Sequence, residues 1–168
     1  MTPDELLKLT PQEVFTLAAK HLIKQGRQAR GHAVDGCAYR ENGNADDKIR
    51  CTVGFFIPDS LYFPEIEGLA VKEVVKVLHN TAKENKDENL SKLATFLQRH
   101  LRLLDALQRI HDASYNPYCP DMLAPYSSLK SLDSDEFDQH KLRANLMALG
   151  VAFNLDTSFL KEDIIDDA

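Results

Sequence analysis

Cys37, Cys51 and His111 are the residues of this chain whose types lend themselves most directly to chemistry. A thiolate acts as a nucleophile when an imidazole stands within hydrogen-bond reach and a third group orients the ring. Cys51 or Cys37 with His111 supplies the first two parts, and Asp59 or Asp35 the third. Asp112 serves less well, because adjacent helix side chains diverge by about 100°. The competing interpretation makes both cysteines small buried apolar residues facing across a hairpin, and His111 a hydrogen-bonded ring at a helix end. The packing role is the preferred one.

Cys37, Cys51 and His111, with Cys119, would also suit tetrahedral zinc in kind. The spacing argues against it, since the chain has neither CxxC nor HxxxH, and no metal is expected. A Cys37–Cys51 disulfide fits hairpin geometry but not a reducing compartment. Tyr39 and Arg40 can present a polar hook, with Arg40 gripping a carboxylate or phosphate in two-pronged fashion. The alternative, preferred here, is an internal salt bridge from Arg40 to Asp59 or Asp112. His21, His32, His79, His100 and His140 are scattered and receive no role. There is no glycine-rich phosphate loop, GxSxG or HExxH, so no cofactor is expected.

The elements that must position these groups follow from start and stop signals. Thr2-Pro-Asp-Glu5 and Thr10-Pro-Gln-Glu13 are two capping boxes with proline at the first helical position. They predict one short turn and then a helix over Pro11 to Gln25, stopped by Gly26. Val14, Ala18 and Leu22 form its inward stripe. The pattern changes at residues 36–62. Cys37 to Arg40 and Ile49 to Val53 read as strands joined through Asn42-Gly43 and the acidic pair Asp46-Asp47, a β-hairpin with a long wet loop. Gly54 either breaks the second strand or admits another segment closely. Leu69 to Asn80 reads as a helix, and Thr81 to Glu88 as a charged connector. From about 89 to 114 leucines recur every three or four residues, predicting one rod about 37 Å long that serves as the central packing post. Residues 115–126 read as an ordered aromatic loop, Asp133 onward as a helix capped by Gly150, and Val151 to Leu155 as a short strand. The expected fold is α+β and predominantly helical, with four to five helices packed around a small antiparallel β-hairpin, in one domain over 1–168.

The central stretch carries a pattern: Cys37-x-Tyr39-Arg40, Gly43, then Cys51-x-x-Gly54-x-x-Ile57-Pro58-Asp59-x-x-Tyr62. Phe15, His21-Leu22 and Gln25-Gly26 precede it, and Leu107-Gln108-x-Ile110-His111-Asp112 follows. In this combination the chain resembles a family of small uncharacterised proteins of bacteria and their phages. The resemblance spans roughly residues 11–62 and 101–112. The chain departs from the family in a longer, aspartate-bearing loop and in its C-terminal helix. The resemblance implies kinship and a bacterial or phage origin, without an activity.

Composition narrows the function classes. The chain has 168 residues, 43% of them hydrophobic and 27% charged, enough to bury a core. A net charge of −6 disfavours a nucleic-acid backbone as partner. Lys20, Lys24, Arg27 and Arg30 are the densest cations, read as a solvated helix end. The polar, acidic N-terminus and the absence of a long apolar run predict a cytoplasmic protein with no membrane partner. The expected function is a non-catalytic inhibitor, immunity or adaptor protein that binds another protein. Its candidate contact residues are Tyr39, Arg40, Asp46, Asp47 and Asp59, or the aromatic segment 115–126. The alternative is a small cysteine-dependent hydrolase or transferase using Cys51, His111 and Asp59.

Overall fold

The two capping boxes form as their spacing requires. Thr2 N–H donates to Glu5 Oε2 at 2.7 Å while Glu5 N–H donates to Thr2 Oγ1 at 3.3 Å. Thr10 and Glu13 repeat the exchange at 2.8 and 3.3 Å. They open α1 (Pro3–Leu6) and α2 (Pro11–Gln25). Gly26 ends α2 in the left-handed conformation, at φ 63°, which glycine adopts without steric cost. The computed structural model describes residues 1–27, 29, 38–41, 43, 48–113 and 139–162. The expectations placed on Arg30, Asp35, Cys37, Asp46, Asp47, Cys119, the 115–126 segment and the helix start at Asp133 lie outside the described residues.

The remaining helices are α3 (Thr52–Phe56), α4 (Val71–Asn85), α5 (Glu88–Arg99), α6 (Leu101–Ala113), α7 (Gln139–Ala152) and α8 (Phe159–Glu162). Short 3-10 turns at Asp59–Leu61 and Pro64–Ile66 link α3 to α4. Val71, Val74, Val75, Leu78 and Ala82 are buried at helical spacing. Their period outweighs the modest helix propensity of the β-branched residues. The predicted connector shrinks to Lys86, at φ 54°, and Asp87, whose carboxylate caps α5 by accepting from Asn89 and Leu90 N–H. α4 packs along α5, and α1 lies on α5, where Asp4 pairs with Lys92 at 2.9 Å. α6 is the hub, touching α2, α3, α4, α5 and α7.

The expected rod over 89–114 is two helices meeting at His100. Its ring is buried beside Phe96, with centroids 5.1 Å apart, and its backbone leaves helical geometry at φ −103°, ψ 13°. Only the second helix is the central post. The expected strand at 151–155 is also absent: α7 runs to Ala152, and Gly150 sits inside the helix rather than capping it. A Cβ there would lie 2.1 Å from the Thr157 Cγ2, because the chain doubles back against α7. Gln12 holds that return by pairing its side-chain amide with both backbone groups of Asp156, at 2.7 and 3.1 Å.

Among the described residues no β-hairpin forms. The described residues contain no strand, only one isolated antiparallel bridge between Arg40 and Arg50, so the fold is mainly α and the α+β expectation is corrected. Side chains take the places that partner strands would hold. Gln25 pairs its amide with Arg50, accepting from its N–H at 2.9 Å and donating to its carbonyl at 3.0 Å. The Glu67 carboxylate accepts from Tyr39 and Arg40 N–H at 2.8 and 3.0 Å. With those backbone groups satisfied, no ladder is needed to bury the segment. Directly after the bridge, Cys51 turns the chain into α3 instead of a second strand. Gly54 makes this possible. A Cβ on it would stand 2.0 Å from the Tyr39 carbonyl oxygen, so the segment and α3 touch backbone to backbone.

Gly54→Ala is therefore expected to lower the free energy of unfolding by about 3 kcal/mol, the upper end of the usual overpacking cost. Urea titration followed by circular dichroism measures it. A wild-type midpoint would mean that Tyr39 and α3 do not approach this closely.

Candidate functional site

Arg40 is completely buried, the one Lys, Arg, Asp or Glu side chain among the described residues that is. A buried guanidinium requires a counter-charge and acceptors. Its Nη1 donates to Asp59 Oδ1 at 2.8 Å and its Nη2 to the Ile57 carbonyl at 2.7 Å. The Tyr62 ring covers the guanidinium, with the cation 4.7 Å from the ring centroid. The segment Ile57–Pro58–Asp59 and the following 3-10 turn place all three partners on one side of Arg40. The internal salt bridge to Asp59 forms, and it ties the 38–41 segment to the turn after α3.

Asp59 Oδ1 also receives Arg50 Nη2 at 2.8 Å, and its side chain remains 54% exposed. Hydrogen bonding from Arg40, with Arg50 adding its charge, holds the Asp59 carboxyl below its usual range. Arg50 is bound from its other side by α2. The His21 ring contacts its carbonyl at 3.0 Å; a carbonyl only accepts, so the ring nitrogen there carries the proton. His21 lies flat on Phe55 of α3, with centroids 4.4 Å apart and planes 20° apart. Burial pushes the His21 imidazole down, the charges of His111 and Arg50 push the same way, and the Arg50 carbonyl opposes them. Burial lowers the His100 imidazole too.

The candidate nucleophile has a different neighbour from the one expected. Cys51 is 1% exposed and a free thiol. Its sulfur accepts from Gly54 N–H at 3.4 Å, capping α3. Among the described residues no hydrogen bond joins this sulfur to an imidazole. His111 is fully buried on α6. Asp59 faces two guanidinium groups. Cys51 and Asp59 are thus engaged by different groups, Arg40 and Asp59 are brought together, and the Tyr39 hydroxyl donates to the Leu69 carbonyl instead. Among the described residues no group of three or more histidine, cysteine or acidic side chains could hold a metal ion.

Sequence reasoning placed His21 and Gln25 in the pattern without a role and missed Glu67. His21 and Gln25 stand four residues apart on one face of α2, a visible spacing. Their target, the peptide group of Arg50, has no signature. Glu67 was unmarked within an irregular stretch.

Asp59→Ala removes the carboxylate that accepts from both Arg40 and Arg50. The expected cost is about 2–3 kcal/mol, below the range for a fully buried pair because Asp59 is half in water. Urea unfolding checks it; a wild-type midpoint would show that Arg40 has another counter-charge. The pH dependence has one sign throughout. The imidazoles of His21 and His100 are lowered from an ordinary 6.5, so stability is full above that value and is lost as pH falls below it. Asp59, lowered from 3.8, contributes stability above that value and loses it at more acid pH. Unfolding free energy is expected to fall between about pH 7.5 and 5.5, by at most about 1.4 kcal/mol per pH unit for each histidine. His21→Gln should flatten that slope, and an unchanged slope would remove His21 from the account.

Compared with known proteins, the chain matches no family model, no curated protein and no solved structure.

Proposed function

We propose that this chain is a non-catalytic protein-interaction protein of inhibitor, immunity or adaptor type, of bacterial or phage origin, and that its acidic surface makes the contact. The observation that carries this reading is the mutual engagement of the residues best suited to chemistry. Cys51 caps a helix from within the core, Arg40 is held by Asp59 and covered by Tyr62, and the Tyr39 hydroxyl is bonded to the Leu69 carbonyl. The whole chain carries a net charge of −6, with Asp46 and Asp47 adjacent in it. Such a field favours a basic protein face and speeds encounter with it. No helix among the described residues is long and apolar enough to cross a membrane. The cytoplasm remains the proposed location.

Kinship with the bacterial and phage family belongs to the same proposal. Its support is spatial: His21, Gln25, Tyr39, Arg40, Gly54, Ile57, Asp59 and Tyr62 are far apart in the chain and meet around one segment. A motif made of residues that hold each other reads as the signature of a fold.

Affinity capture from a bacterial lysate tests the reading. A partner held by the wild type is expected to be lost with Asp46→Lys/Asp47→Lys and to elute early as salt is raised. Equal retention by the charge-reversed chain would remove the acidic loop as the contact. Iodoacetamide mapping tests the catalytic alternative. Cys51 is expected to label only as fast as the chain opens, and rapid native labelling below pH 7 would overturn the non-catalytic reading.

A further inference from the structure

The carboxylate of Glu67 is held the way a bound anion is held. Its Oε2 accepts from Tyr39 N–H at 2.8 Å, and its Oε1 from Arg40 N–H at 3.0 Å and Tyr62 Oη–H at 2.8 Å. Two consecutive backbone N–H groups directed at one carboxylate make an anion-binding concavity, and here a phenol adds a third donor. The walls are stiff. Tyr39 and Arg40 are buried, the Tyr39 hydroxyl is bonded to the Leu69 carbonyl at 2.6 Å, and the Arg40 cation lies behind the Tyr62 ring. Glu67 itself is only half-buried. It enters on a turn between the 3-10 segment Pro64–Ile66 and Gly68 at φ 74°. Two of the donors belong to the distant 38–41 segment, and the third, Tyr62, stands five residues before the acceptor.

We propose that this is an anion-binding seat with Glu67 as its resident ligand, and that it takes a free carboxylate once that side chain is withdrawn. The three donors divide between two oxygens, which suits a planar carboxylate. In the wild-type chain the tether gives Glu67 a high effective concentration, so an outside carboxylate does not compete. The seat is independent of the interaction role proposed above and stands or falls separately.

The test uses Glu67→Ala in the full chain, with sodium acetate as the probe. The thermal midpoint of the variant is expected to lie below that of the wild type and to rise saturably with acetate, as binding to the folded state alone requires. Sodium sulfate at matched ionic strength controls for general salting-out and should give no saturable rise beyond that of the wild type. Adding Tyr62→Phe removes one donor and should weaken the acetate response about tenfold. If Glu67→Ala is unfolded without ligand, acetate is expected to restore its helical circular dichroism where sulfate does not. A folded variant blind to acetate, or an unfolded one that acetate does not rescue, would overturn the proposal. So would an equal response to both salts.

Discussion

The molecule is arranged around one charge that water cannot reach. Arg40 sits in the core with no exposed surface, and a guanidinium there is tolerable only where its acceptors are already in place. That condition explains the order of residues after α3. Ile57 presents its carbonyl because Pro58 and the extended backbone that follows α3 turn it toward Arg40. Asp59 supplies the counter-charge one step further on, and Tyr62 covers the planar face. Remove the cation and this turn has no reason for its particular residues. Remove the turn and the cation has no place in the core.

Around this pair the protein builds with side chains what other folds build with strands. Gln12 and Gln25, both on α2, each pair an amide with the N–H and the carbonyl of a single distant residue, Asp156 and Arg50. Glu67 does the same for two neighbouring N–H groups. A glutamine amide has the donor and acceptor of a peptide, so it can close the edge of an extended segment without a second strand. The helix that carries those glutamines becomes a rail against which two irregular stretches are held. Its apolar face is buried against α3, α6 and α7 at the same time.

Much of the helical framework was legible because its signals are local. The capping boxes at Thr2 and Thr10, the Gly26 stop and the inward stripe of α2 involve residues at most four apart and formed as read. The hairpin was misread for the opposite reason. Alternating residues and Asn42-Gly43 announce extended chain, and extended chain is present at the Arg40–Arg50 bridge. What satisfies it is Gln25 and Glu67, whose sequences say nothing of their targets. The leucine period across 89–114 is real, but it cannot register a single buried ring at His100 that interrupts the helix. Gly150 looked like a stop because glycine often is one; its actual cause is the return of Thr157. Of the candidate site, the Arg40–Asp59 pairing was foreseeable from charge and spacing. The placement of Cys51 as a cap was not, since cysteine is an uncommon choice for that position.

The bridge between Arg40 and Arg50 has a consequence for how this protein can vary. Both ends of the stretch it encloses are fastened: Cys51 N–H to the Tyr39 carbonyl and Glu41 N–H to the Ile49 carbonyl, with Asp59 and Gln25 gripping Arg50 from either side. A neck closed by its own clasps does not depend on the length of what it encircles. Doubling the number of residues between two fastened points costs only about 0.6 kcal/mol of closure entropy. Residues can therefore be inserted or removed between Glu41 and Ile49 at little cost to folding, with the clasp itself unchanged.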